Sequence, residues 1–160
     1  MNDAYLLLGS NLGRRESYIR DAICLIEEKA GEVVCASSLY ETEPWGAENS
    51  PAYINKVILL KTELSPLDLL SMISQIESEL GRTRGEVKNE PRTIDIDILF
   101  YNKEIVDQPG LIIPHERLHL RKFVLVPLAE IAPFFVHPVF KKNVTGLLEE
   151  CQDPLWVKRA

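Results

Sequence analysis

Pro91-Arg92-Thr93-Ile94-Asp95-Ile96-Asp97-Ile98-Leu99-Phe100-Tyr101 decides how the rest of the chain is read. Successive side chains on a strand point to opposite faces. Extended, this stretch puts Asp95 and Asp97 on one face and Ile94, Ile96, Ile98 and Phe100 on the other. The two carboxylates then lie roughly 6.5–7 Å apart along the backbone, at about 3.3 Å of rise per residue. At that spacing they repel, and desolvating them is costly unless a positive group sits between them. On a one-sided antiparallel sheet both would simply face water. Asp is depleted in strands, however, and the flanking residues are too apolar for an exposed edge. Hard cations take oxygen ligands. A magnesium ion between Asp95 and Asp97 is therefore the competing reading, and Arg92 just upstream suggests that the metal carries phosphate.

Working outward from that strand, the preceding chain supplies the other five elements of a small sheet. Ala4 to Leu8 reads as a buried strand, and Gly9-Ser10-Asn11-Leu12-Gly13 as a turn. Tyr18, Ile19, Ala22, Ile23, Leu25 and Ile26 form a helical stripe within Arg14 to Ala30, which Gly31 ends. Val33 to Tyr40 and Tyr53 to Leu60 read as strands, separated by a long loop with two prolines. Ser65-Pro66-Leu67-Asp68 is a helix start, with a capping serine, proline at the first helical position and acid in the first turn. That helix runs to Leu80 and stops at Gly81. The order is strand, helix, strand, strand, helix, strand. It predicts an α+β, ferredoxin-like βαββαβ core, an antiparallel sheet with helices on one face. Downstream, Asn102-Lys103 is a turn and Glu104 to Val106 is expected to pair as a short hairpin. Helices are expected over Phe123 to Ile131 and Val144 to Cys151 as C-terminal additions. The 160 residues predict one domain over 1–160.

The bulk numbers bound the function. With 46% hydrophobic residues the chain can bury a core without staples. A net charge of −6 argues against a whole-surface nucleic-acid binder. Cys24, Cys35 and Cys151 match no zinc spacing, and Cys24 and Cys35 are expected to be buried free thiols in a reducing cytoplasm. No signal-peptide pattern and no apolar run of membrane length occurs. Nothing in the sequence suggests an obligate interface, so a monomer is expected.

Several residue groups carry chemistry. Arg82, Arg84, Lys88 and Arg92 stand against Glu86 and Glu90 in one polar loop, a local balance of +2. Left alone it is a solvated loop; placed before Asp95 it suits a lid over phosphates, because arginine forks pair with phosphate oxygens. His115, Arg117, His119, Arg121 and Lys122 form a second basic cluster. Tyr53 and Asn55 share a strand face; with Trp45 and Phe123 they either pack a core or form a flat slot for a planar heterocycle. No GxxxxGK[ST] loop occurs, so a nucleotide would be held by metals and arginines.

Ordered blocks of the sequence resemble the 6-hydroxymethyl-7,8-dihydropterin pyrophosphokinases of folate biosynthesis. They are Gly9-Ser10-Asn11-Leu12-Gly13, Tyr40-Glu41-Thr42-Glu43-Pro44 with Trp45-Gly46, Tyr53-Ile54-Asn55, Ile76-Glu77 with Gly81-Arg82, Pro91 to Leu99, Ile113-Pro114-His115, and Pro127 to Pro133. The resemblance implies transfer of pyrophosphate from ATP to the hydroxymethyl group of the pterin, with release of AMP. It implies two magnesium ions on Asp95 and Asp97, and Arg82 and Arg92 as catalytic arginines. It implies ATP contacts from Gln75, Glu77, Arg84, Arg92, Ile98, His115 and Arg121. Thr42, Glu43, Trp45, Tyr53, Asn55 and Phe123 would hold the pterin. Asn89-Glu90 stands where many members carry an aromatic-glycine pair, and Gly110 where some carry arginine; Arg117 or Lys122 is expected to supply that charge. The competing readings are another two-metal phosphoryl or nucleotidyl transferase, and a non-catalytic ferredoxin-like ligand-binding domain.

Overall fold

The computed structural model describes residues 1–11, 14–43, 52–81 and 94–160. Strand β1 (Asn2–Ser10) leads into helix α1 (Arg15–Lys29), then β2 (Glu32–Ala36), β3 (Tyr40–Thr42) and β4 (Tyr53–Thr62). Helix α2 (Pro66–Glu79) returns the chain to β5 (Asp95–Tyr101). The sheet runs β5-β1-β4, with β2 and β3 both on the far side of β4, and all these pairings are antiparallel. This is the ferredoxin-like order expected from the sequence. A ribbon of β6 (Val106–Gln108) and β7 (Leu111–Ile113) follows, then helices α3 (Lys122–Ile131) and α4 (Val144–Glu150), and strand β8 (Val157–Arg159) on β3.

Local chemistry explains the elements. In α1 the buried residues are Ile19, Ala22 and Ile26, one stripe of the helix. Gly31 ends it because only glycine fits: a Cβ there would lie 2.1 Å from the Lys61 carbonyl oxygen. Ser65 caps α2 by accepting the Asp68 N–H. Leu69, Ile73 and Ile76 face the sheet from that helix. Together with Leu6, Leu8, Ile58 and Leu60 they form the first core, each such side chain stabilising the fold by roughly 1.5–3 kcal/mol.

Helices cover both faces of the sheet rather than one. Leu7, Val57, Leu99 and Phe100 form a second core with Val124, Leu125 and Leu128 of α3 and Val144 and Leu147 of α4. The additions after β5 are therefore the second cover of the sheet, and the face they cover is the one carrying the aspartates.

Four other expectations are corrected. Phe100 does not share the face of Ile94, Ile96 and Ile98. Leu6 pairs with Ile98 and Tyr5 with Phe100, so Leu99 is an extra residue, a β-bulge. The bulge turns Leu99 and Phe100 both into the second core, where the Phe100 ring lies 4.5 Å from Phe135. Val33 to Tyr40 is two strands, broken where Ser37 Oγ accepts the Val57 N–H and donates to the Ser38 carbonyl. Glu104 does not start a hairpin; the ribbon begins at Val106 and turns at Pro109-Gly110. Cys24 and Cys35 are exposed: Cys24 lies off the buried stripe of α1, and Cys35 is on the short strand β2.

Candidate active site

Three neighbouring strands set the aspartates. Asn55 of β4, Gly9 of β1 and Asp95 of β5 stand in one row, and Val57, Leu7 and Asp97 in another. Gly9 belongs to β1 and not to the turn expected from Gly9 to Gly13. Its missing side chain is a spatial requirement, since a Cβ would lie 2.7 Å from Asn55 Oδ1. Asn55 is buried, and its Nδ2 donates to Thr42 Oγ1 at 3.0 Å. The amide is thus held between β1 and β3 with its plane fixed.

A cavity of about 160 Å³ opens over these rows, lined by Leu7, Gly9, Thr42, Glu43, Tyr53, Asn55, Asp95, Asp97, Arg121 and Phe123. It collects every described member of the heterocycle slot expected from the sequence. Arg121 and Phe123 come from the start of α3, with the guanidinium 5.6 Å from the Phe123 ring centroid. The apolar body of α3 packs on Leu7 and Val57, so its first turn is delivered opposite the carboxylates.

A second, larger cavity of about 440 Å³ wraps the outer edge of β5. It is lined by Leu70, Ile96 and Ile98 from the first core, by Asp97 and Arg121, and by Gly110 to Ile112 and His115 to Arg117. Asp97 and Arg121 line both cavities. Arg117 lines the second, with Gly110 beside it, while the Lys122 backbone N–H donates to Asp153.

In the second cavity the guanidiniums of Arg117 and Arg121 stand against the carboxylates of Asp97 and Glu116. Burial is the first cause that lowers the Arg121 pKa, and Arg117 adds to it; Asp97, Asp95 and Asp153 act in the opposite sense. A guanidinium stays charged regardless. Burial, then the Arg121 charge, pushes the His115 pKa down. Its Nδ1 accepts the Arg117 N–H at 3.2 Å, which leaves the ring proton of the neutral imidazole on Nε2. The His115 backbone N–H donates to the bulged Leu99 carbonyl at 3.0 Å, tying this residue to the aspartate strand.

The structure separates two other expected nucleotide residues from the cavities. Glu77 is buried, and its Oε2 accepts the Ile96 N–H at 2.9 Å. That N–H lies on the free edge of the sheet, between the two aspartates, so Glu77 supports the strand that carries them. Gln75 is exposed on α2. Neither is among the described residues lining either cavity. Trp45, Arg82, Arg84 and Arg92 lie outside the described residues. Leu7 and Gly9 are cavity walls that sequence reasoning misses; the Gly9 signal is present, but a glycine beside Ser10-Asn11 reads as a turn.

The family model for 7,8-dihydro-6-hydroxymethylpterin-pyrophosphokinase matches residues 5–133. A 2-amino-4-hydroxy-6-hydroxymethyldihydropteridine pyrophosphokinase of Bacillus subtilis is 50% identical over 131 residues, 81% of this chain and 78% of the relative. The chain belongs to the hydroxymethylpterin pyrophosphokinase family. Its Haemophilus influenzae relative of the same name is 40% identical over 159 residues, covering 99% of this chain and 98% of that one. The family fold is also found in the structure of Plasmodium falciparum HPPK-DHPS wild type with pteroate, at TM-score 0.75 and 20% identity. That match covers 93% of this chain and 42% of the solved one, so the chain spans less than half of that longer protein.

Proposed function

We propose that this pyrophosphokinase moves the pyrophosphoryl group of ATP to the hydroxymethyl oxygen of 6-hydroxymethyl-7,8-dihydropterin, with Asp95 and Asp97 as ligands of two magnesium ions. The observation that carries the reading is the sharing of Asp97 and Arg121 by two cavities of different character. A slot with aromatic walls on one side and a groove carrying Arg117 and His115 on the other meet at these two residues.

The donor set fits magnesium. Two carboxylates on one strand face offer hard oxygens, and among the described residues no group of three or more His, Cys, Asp or Glu could hold a metal alone. Magnesium is bound in this way, by one or two carboxylates with substrate phosphates and water completing the shell. When bound, the ions would neutralise charge on the transferred group and orient it toward the acceptor oxygen.

The protein's own residues do the rest. Tyr53 and Phe123 offer flat walls to the pterin, while Asn55 and Thr42 supply its polar contacts. Arg121 balances phosphate charge where the substrates meet, joined by Arg82, Arg84 and Arg92 from the segment ahead of β5. His115 donates from Nε2 to a phosphate oxygen without adding charge. Ile98 and Gln75 complete the nucleotide side, and Glu77 acts on it through the aspartate strand. We read residues 1–160 as one domain acting as a monomer. The three free cysteines and ATP as co-substrate support a cytoplasmic setting.

The test is AMP release from ATP with the reduced hydroxymethylpterin, with and without magnesium. Asp97→Ala is expected to abolish AMP formation while leaving the thermal transition cooperative. Full activity in that variant would sink the metal assignment. Pyrophosphate as product would favour a nucleotidyl transferase, and nucleotide binding indifferent to magnesium would favour a non-catalytic domain.

A further inference from the structure

Strand β8 lies beyond residue 133, where the family match ends. It pairs with β3 in antiparallel register, Thr42 opposite Val157, Glu41 opposite Lys158 and Tyr40 opposite Arg159. Immediately past that ladder, Glu43 and Trp156 exchange two hydrogen bonds. The Glu43 N–H donates to the Trp156 carbonyl at 3.2 Å, and the Trp156 N–H donates to Glu43 Oε1 at 3.2 Å. The second is charge-assisted and commits the carboxylate of a residue that lines the first cavity.

The other end of β8 is tied to α3. Glu130 accepts the Ser38 N–H and hydroxyl at 3.1 Å and the Tyr40 hydroxyl at 2.5 Å, and Arg159 approaches it at 3.6 Å. These bonds and the Arg159 charge hold the Glu130 pKa down against its partial burial. The Ala160 N–H donates to the Leu39 carbonyl at 2.9 Å. One wall of the first cavity, Thr42 and Glu43, is thereby fixed relative to the other, Phe123 at the start of α3. Meanwhile the Trp156 indole is exposed, with Lys158 Nζ 4.9 Å from its centroid. The contact with the cavity wall is made by the Trp156 backbone, not by the ring.

We propose that β8 is a strap that positions the pterin wall, and that the Trp156 N–H, through the Glu43 carboxylate, is its positioning contact. This rests on the reading that the first cavity takes the pterin. Without β8, β3 would be a three-residue edge strand whose ladder partner is β4 alone, with the Tyr40 hydroxyl on Glu130 as its side-chain tie to α3. Very short edge strands carry few hydrogen bonds and open locally at low free energy. The nucleotide cavity has no lining residue from β3 or β8 among those described, so its affinity is independent of the strap.

Two variants at one position separate amide from side chain. Trp156→Pro removes the N–H; Trp156→Ala keeps it and removes the indole. Calorimetry with 6-hydroxymethyl-7,8-dihydropterin should show a Kd weakened roughly tenfold or more in Trp156→Pro, in line with the loss of one hydrogen bond to a charged group. Trp156→Ala should match the parent, and the Kd for magnesium-ATP should be unchanged in both. Hydrogen exchange at Thr42 and Glu43 should accelerate in the proline variant alone, a readout that needs no ligand. Parent-like pterin affinity and exchange in Trp156→Pro overturn the proposal. Equal losses in both variants, or parallel loss of ATP affinity, overturn it as well. A parent chain that binds no pterin fails the functional reading instead, and the exchange experiment still decides the strap.

Discussion

Gly9→Ala tests the architecture of the proposed pterin slot with a single methyl group. The backbone at Gly9 is ordinary β1 strand, so alanine brings no conformational strain of its own. The new Cβ would stand 2.7 Å from Asn55 Oδ1, whereas ordinary contact begins at 3.4 Å. The Asn55 amide must therefore retreat by about 0.7 Å. It is pinned on the other side by its 3.0 Å bond to Thr42 Oγ1, in a buried position. Retreat breaks or misaligns that bond, and a buried polar group left unsatisfied costs about 1–3 kcal/mol. Since about 1.4 kcal/mol is tenfold in affinity, the pterin KM should rise roughly tenfold or more. The KM for ATP should change by less than about twofold, because Gly9 and Asn55 do not line the second cavity. Steady-state kinetics with each substrate varied in turn measures both. Combined with Asn55→Ala, which removes the obstructing oxygen, Gly9→Ala should add little further loss. A parent-like pterin KM in Gly9→Ala, or full additivity in the double variant, would refute the reasoning.

Two further expectations concern the supports of the site. Glu77→Ala leaves the buried Ile96 N–H without its acceptor and should cost roughly 1–3 kcal/mol in urea unfolding, whereas Glu77→Gln keeps an oxygen there and should lose less; magnesium required for half-maximal activity should rise in the alanine variant, and an unchanged requirement would count against strand support. His137 is buried beneath Phe140, its pKa drawn down to about 4 by burial and then by His119, and its Nδ1 accepts the Val139 and Phe140 N–H groups. Between pH 6.5 and about 4 the unfolded chain binds the proton that the folded chain refuses, so stability is complete above 6.5 and falls as pH drops through that window. The midpoint of urea unfolding should fall in that window, less steeply in His137→Asn; identical pH profiles would exclude His137 as the cause.

Much of this was readable from residue order because periodicity is local. The apolar stripes of α1 and α2, the Ser65 cap and the Asp95-x-Asp97 alternation each depend on neighbours within a few positions. What escaped depends on partners far along the chain. Nothing near Leu99 announces a bulge, since the extra residue exists only relative to β1, and alternation alone puts Phe100 on the wrong face. Gly9 reads as a turn residue until Asn55 is placed beside it. Glu77 sits in a block that the resemblance puts on the nucleotide side, yet its carboxylate reaches the Ile96 amide of the strand following residues 82–93. Strand β8 is three residues long and gains its meaning only from β3, more than a hundred positions earlier.

The bulge at Leu99 also acts as a register lock between two halves of one strand. Ahead of it, β5 spends one face on carboxylates; after it, Leu99 and Phe100 turn into the same apolar interior. An unbulged strand could slip along β1 and trade one register for another, and a one-residue slip would invert every side chain. With Leu99 looped out and its carbonyl engaged by His115, slippage would have to carry the imidazole and the Phe100 ring with it. Substitutions that loosen Leu99 or Phe100 therefore reach beyond the second core, because the Leu99 carbonyl also holds the His115 backbone. The bulge thus lets one strand serve two cores, with Ile96 and Ile98 in the first and Leu99 and Phe100 in the second.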